Sequence, residues 1–138
     1  MTSDSSLSLV EFRPRFCETD LMGVVHHSNH LVYFEAARVE WLRRRGVSFA
    51  AWTERGLHFP VVEVSVAYKG AAFFDDALVI EIRLAELRAA SARFSYRMRR
   101  GDTLLAEAMT RLAFIDAARR PIRIPPDVLE TLSSPEIA

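Results

Sequence analysis

Leu31-Val-Tyr-Phe-Glu-Ala-Ala-Arg-Val-Glu-Trp-Leu42 is apolar at nine of its twelve positions, interrupted only by Glu35, Arg38 and Glu40. A helix this apolar around its circumference is expected to be largely buried. Glu40 and Arg44 add an i,i+4 ion pair, and Gly46 is a natural stop. Residues 47–55 suggest a short second helical piece ended by Gly56. Beyond it the period changes. Val62, Val64, Val66 and Tyr68 alternate with polar residues, as do Leu78, Ile80, Ile82 and Leu84, then Ala92, Phe94, Tyr96 and Met98. Leu104, Ala106, Ala108, Leu112 and Phe114 form a last, longer run. Period-two patterning predicts strands. Asp75-Asp76 and Gly101-Asp102 mark turns, and the links near 88–90 and 100–102 are too short for parallel crossovers, so the strands should be antiparallel.

Upstream of the helix, Leu7 to Cys17 reads as a first strand, bent near Pro14 and anchored by Leu9, Phe12 and Phe16. Asp127 to Leu132 suggests a small terminal helix after Pro125 and Pro126. The economical solution is an α+β domain, with an antiparallel sheet of about five strands curled around one long central helix. One domain is expected over residues 1–138, with residues 1–6 and 133–138 as flexible ends. Such a sheet leaves an edge that a second copy would cover.

Composition narrows the function. The chain of 138 residues is 50% hydrophobic and 26% charged, as expected for a globular domain. Its 18 basic and 18 acidic residues cancel, which argues against a dedicated binder of nucleic acid or anionic membrane. Cys17 is the sole cysteine, so a reducing compartment is expected. The polar start Met-Thr-Ser-Asp-Ser-Ser lacks the features of a secretory signal, and no apolar run has transmembrane length. A cytoplasmic location is the expectation.

The chemistry concentrates just before the long helix, in Glu18-Thr-Asp-Leu-Met-Gly-Val-Val-His-His-Ser-Asn-His30. This junction gathers carboxylates, a glycine and three of the four histidines. The helix behind it offers free N–H groups and a positive dipole end. A carboxylate facing such donors is one way to build an acyl-transfer site. Spacing alone gives Asp20 a plainer role as a turn residue ahead of Gly23.

Phe16-Cys-Glu-Thr-Asp20-Leu-Met-Gly23-Val-Val-His-His27-Ser-Asn29, followed by Tyr33-Phe34-Glu35-Ala-Ala-Arg38-Val-Glu-Trp41, resembles the hotdog-fold acyl-CoA thioesterases, in particular the 4-hydroxybenzoyl-CoA thioesterase and YbgC-like family. Phe59-Pro-Val-Val62 and Val66-Ala-Tyr68 through Leu78 fit the same pattern, and the likeness spans about residues 8–115. It implies the hotdog fold, with catalytic Asp20, the turn glycine Gly23, and a site residue at His27. Val25, His26, Asn29 and His30 then fall on the substrate side of the junction. The family often has tyrosine at the His30 position, other residues at His26, and a proline within Gly70-Ala71-Ala72.

A thioester carbonyl needs a nucleophile or activated water, and donors for the developing oxyanion. In this reading Asp20 attacks or acts as general base, backbone N–H groups near His27 polarise the carbonyl, and thiolate leaves without strong acid catalysis. His27 would orient water, contact Asp20 or bind the acyl group. His26 and His30 have an i,i+4 spacing that suits two metal ligands, but no third ligand is evident and no metal is expected. Cys17 reads as a buried strand residue; Ser28 and Asn29 read first as helix caps. Lys69, Arg88, Arg93, Arg97 and Arg99 are candidates to meet coenzyme A phosphates. No cofactor is expected beyond coenzyme A as part of the substrate. The resemblance implies a homodimer or homotetramer with sites at the dimer interface. The alternatives are an acyl-carrier-protein thioesterase of a polyketide or fatty-acid pathway and a non-catalytic acyl-binding hotdog module.

Overall fold

The computed structural model describes residues 4–138; the fraying expected at residues 1–3 lies outside them. Element order is β1 (Ser8–Phe12), α1 (Asn29–Arg43), α2 (Phe49–Glu54), β2 (Val61–Tyr68), β3 (Leu78–Leu87), β4 (Ser91–Arg100), β5 (Thr103–Ala113) and α3 (Pro126–Leu132). The strands form one antiparallel sheet in the order β1-β3-β4-β5-β2. The two short links β3–β4 and β4–β5 make hairpins, as their lengths require.

The sheet curls over α1. Phe34 packs on Tyr96 with ring centroids 4.9 Å apart, and Trp41 meets Phe94 edge-on at 5.0 Å. Ile80, Ile82, Met98 and Leu105 complete a layer closed to solvent. Each such side chain contributes about 1.5–3 kcal/mol through burial. Arg38, a polar interruption of the apolar run, is nonetheless buried; its guanidinium donates to the Tyr96 hydroxyl at 3.3 Å, and that hydroxyl shares a 2.5 Å hydrogen bond with Thr110. Trp41 Nε1–H donates to the Ser6 carbonyl at 2.6 Å. The Arg45 guanidinium lies 3.7 Å over the Trp41 ring and donates to the carbonyls of Ser5, Trp41 and Ser134 and to Ser8 Oγ.

The expected stops and pairs form. The amides of Gly46 and Val47 close the end of α1 on the carbonyls of Arg43 and Leu42, with Gly46 at φ +81 in the left-handed region that favours glycine. Glu40 takes Arg44 at 2.8 Å and Arg43 at 2.5 Å. These hydrogen bonds hold its carboxyl down to about 2.

Three expectations need correction. The first strand ends at Phe12, and its inward residues are Ser8, Val10 and Phe12; Leu9 is exposed. Phe16 and Cys17 lie in a 3-10 turn beyond Pro14, both exposed, so Cys17 is not a buried strand residue. Finally, α1 is buried along one side only: Leu31, Val32 and Val39 face solvent in the single chain. The apolar stretch is broader than one sheet can cover.

Candidate active site

The junction between β1 and α1 is a small, heavily bonded loop. The Asp20 amide donates to the Val24 carbonyl and the Gly23 amide to the Asp20 carbonyl, both at 2.9 Å. Thr19 and Val25 pair as an antiparallel bridge. Gly23 sits at φ +80 with open space around it, so backbone conformation rather than crowding demands glycine. The Val25 amide reaches the Ala72 carbonyl at 2.8 Å, joining the loop to the segment after β2.

Glu18 anchors this loop from below. It is 7% exposed and accepts from the Tyr33 hydroxyl at 2.8 Å, the Arg15 amide at 2.7 Å and the Arg15 guanidinium at 3.1 Å. Burial opposes its ionisation, but these donors outweigh it and hold the carboxyl below its ordinary value. Burial, reinforced by the bond to Glu18, pushes the Tyr33 phenol well above its own. The Glu18 carbonyl accepts the His26 amide and Asn29 Nδ2, each at 2.9 Å. Asn29 therefore braces the loop with its side chain. Ser28 Oγ bonds His26 Nδ1 at 2.8 Å and makes no cap bond, so neither residue caps α1 as expected.

A cavity of about 320 Å³ opens beside this loop, lined by Asp20, Val25, His27 and His30, with Tyr68 and residues 70–72 opposite. One Asp20 oxygen accepts the Met22 amide at 2.8 Å. That bond is the turn role, and it leaves the second oxygen without a partner among the described residues. The His27 amide also has none, whereas those of Val25, His26, Asn29 and His30 are each bonded to a carbonyl. A half-buried carboxylate and a free N–H donor thus border one cavity. No hydrogen bond links the His27 ring to Asp20 among the described residues.

The remaining site candidates do not all line this cavity. Gly23 shapes the turn and Asn29 braces it. His26 is exposed, 4.2 Å from the His27 ring, and precedes α1, so it shares no helical face with His30. His30 is 3% exposed, and neither ring nitrogen has a hydrogen-bond partner. Burial depresses its pKa and favours the neutral ring.

Sequence reasoning missed two members. Tyr68 donates its hydroxyl to the His27 carbonyl at 2.9 Å and stands edge-on to His30 at 4.8 Å; it read only as a strand residue. Glu18 carried no signal beyond its neighbourhood. Among the basic candidates, Arg97 and Arg99 pair with Glu81, Arg97 also with Glu107, and Arg88 and Arg93 pair with Glu86. Lys69, between the lining residues Tyr68 and Gly70 but not itself on the cavity, makes no ion pair among the described residues.

A larger cavity of about 630 Å³ lies elsewhere, lined by Trp52, His58, Phe59, Asp116 and Arg119 among others. Its carboxylate is spent: Asp116 accepts the Ala118 and Arg120 amides, both at 2.9 Å, and the Arg120 side chain. The junction is the better chemical site.

This topology, with a long helix under a curled five-stranded sheet and a polar junction at the helix start, defines a hotdog domain. Residues 14–132 match the model of the thioesterase-like superfamily. The acyl-CoA thioesterase YbgC of Haemophilus influenzae is 34% identical over 115 residues, covering 80% of this chain and 83% of that one. The crystal structure of hypothetical protein TT1821 from Thermus thermophilus superposes with a TM-score of 0.87 at 42% identity, covering 91% of this chain and 97% of the other. That of the DHNA-CoA thioesterase from Staphylococcus aureus gives 0.86 at 28% identity, covering 92% and 89%. The chain belongs to the thioesterase-like superfamily, as a YbgC-like hotdog-fold thioesterase.

Proposed function

We propose that the protein hydrolyses acyl-CoA thioesters to a carboxylic acid and free coenzyme A, with Asp20 as nucleophile or general base. The observation that carries this is the pairing, on one cavity, of an Asp20 oxygen and a His27 amide that both lack partners. A thioester carbonyl oxygen bound by the His27 N–H would present its carbon to the cavity that Asp20 also lines, where Asp20 or water held by it would attack. As nucleophile, Asp20 would form a mixed anhydride and expel thiolate, and water would then cleave the anhydride. As base, Asp20 would take a proton from the attacking water. A preorganised oxyanion donor is worth about 10²–10³ in rate. The acyl-CoA names of the YbgC and DHNA-CoA relatives favour coenzyme A over a carrier protein as the thiol carrier, and Lys69, unlike the four arginine candidates, has no carboxylate partner among the described residues to compete with the coenzyme's phosphates.

The working enzyme is a homodimer or homotetramer. β2 stands at the edge of the sheet, exposed over nearly its whole length, with Val61, Val62 and Val64 uncovered. A bare apolar edge is the surface a second copy would pair with. No described helix is long and apolar enough to cross a membrane, and we place the enzyme in the cytoplasm. Asp20→Asn keeps the turn geometry but removes the charge. Its kcat on a panel of acyl-CoA thioesters is expected to fall by about 10² or more. Unchanged turnover would overturn the assignment.

A further inference from the structure

We propose that Tyr68 is a positioning residue for the oxyanion donor: its hydroxyl, reaching in from the sheet, holds the His27 peptide N–H in place at the cavity. The proposal rests on the acyl-CoA thioesterase reading and deepens it.

The donor is a single backbone N–H, and an unrestrained one would turn with its peptide. A peptide unit is planar, so its direction is set by the soft dihedrals on either side and by what holds its own carbonyl. The His27 N–H shares a plane with the His26 carbonyl, and in a trans peptide the two point opposite ways. The Asn29 amide holds that carbonyl at 3.0 Å. On one side of this unit, the His26 amide is fixed on the Glu18 carbonyl at 2.9 Å. On the other, the His27 carbonyl accepts the His30 amide at 3.3 Å and the Tyr68 hydroxyl at 2.9 Å. The first of these two is long for an N–H···O bond, so the phenol supplies the firmer hold. Among the bonds that fix the unit, it alone comes from outside the junction and α1.

Tyr68 serves as an anchor because its own place is fixed. It is the last residue of β2 and pairs with Ala106 of β5. The next two amides, Lys69 and Gly70, close on the Leu105 carbonyl at 2.9 and 3.1 Å. The phenol stands edge-on to the buried His30 ring at 4.8 Å and to the His27 ring at 6.2 Å, contacts that aim its hydroxyl. The Val25 amide, on the Ala72 carbonyl at 2.8 Å, ties the same two segments a second time. One wall of the cavity thus sets the geometry of the other. An oxyanion donor is effective because it needs no reorganisation as charge develops. Tyr68 is exposed in the single chain, so water competes for its bond. Losing the hydroxyl should then forfeit only part of the factor of about 10²–10³ that such a donor supplies.

The test is Tyr68→Phe, which deletes the hydroxyl and keeps the ring, on the acyl-CoA thioester that wild type turns over best. Its kcat should fall about tenfold while KM moves by less than about threefold. Two inhibitors separate positioning from packing. One is the trifluoromethyl ketone analogue of that acyl-CoA, whose tetrahedral form places an oxygen on the donor. The other is the matching thioether, which has no carbonyl. The variant should bind the ketone more weakly by the factor lost in kcat/KM, and bind the thioether as wild type does. Tyr68→His, which offers a ring N–H, should retain part of kcat. Thermal melting accompanies each variant; should Tyr68→Phe not fold, Tyr68→His carries the comparison, with ketone affinity required to track kcat/KM. An unmoved kcat, a rise in KM alone, or equal weakening of ketone and thioether overturns the proposal and leaves the thioesterase reading standing. Wild type inert on every acyl-CoA thioester tried overturns both.

Discussion

β4 and β2 carry the same period-two signature and meet opposite fates. In β4 the residues Ala92, Phe94, Tyr96 and Met98 are all buried against α1 and its surroundings. In β2 only Val66 is even partly covered, and Val62 and Val64 remain 50% and 43% exposed. The difference is position in the sheet. β4 is central and lies under the helix, whereas β2 is at the edge and meets the helix only at its last residue, where Tyr68 touches His30. Alternation in a sequence therefore shows that a face is meant to be covered, but not whether the cover comes from the same chain.

Three measurements sharpen or break this contrast. The largest effect is expected at the covered end. Ile82→Ala, on β3 beside β4, removes a fully buried side chain and should cost about 2–5 kcal/mol in urea unfolding; a loss below 1 kcal/mol would mean that the central layer is not the core described. Next is Tyr33→Phe, which strips one donor from Glu18 beneath the junction and should cost about 1–3 kcal/mol. Its pH dependence has a definite sign. The folded-state carboxyl of Glu18 lies below its ordinary 4.5, so its contribution is present above that pH and lost as pH falls through the depressed value. The variant should show a shallower acid decline than wild type, and identical acid limbs would break the account. The smallest effect is Val64→Lys, at the open end. In a protomer it should change stability by about 0.5 kcal/mol or less. In light scattering it should shift the protein toward smaller species, because a charge then stands on the edge proposed to pair. An unaltered mass would place the interface elsewhere.

The fold was legible because its signals are local. Apolar positions at period two and period 3.6, glycines after helices, and short links each act within a few residues. The failures share one cause. Leu9 and Phe16 were read as inward-facing from their apolarity, yet β1 turns Ser8, Val10 and Phe12 inward, and the chain leaves the sheet before Pro14. Glu18 was unreadable as a buried anchor because its partner Tyr33 is fifteen residues away. For the site, Asp20, Val25, His27 and His30 could be proposed together because one short stretch, the loop and the first turn of α1, carries them. Tyr68 could not, since it arrives from a distant strand.

Arg45 binds carbonyls of Ser5 and Ser134 with one guanidinium, which brings these two segments within a side chain's width of each other. They meet beside the C-terminal end of α1, while the junction lies at its start, about 22 Å away along fifteen residues of helix. For protein engineering this is a convenient separation. A linker joining these two segments would give a circular permutant, and surface tethers attached there would sit one helix length from Asp20.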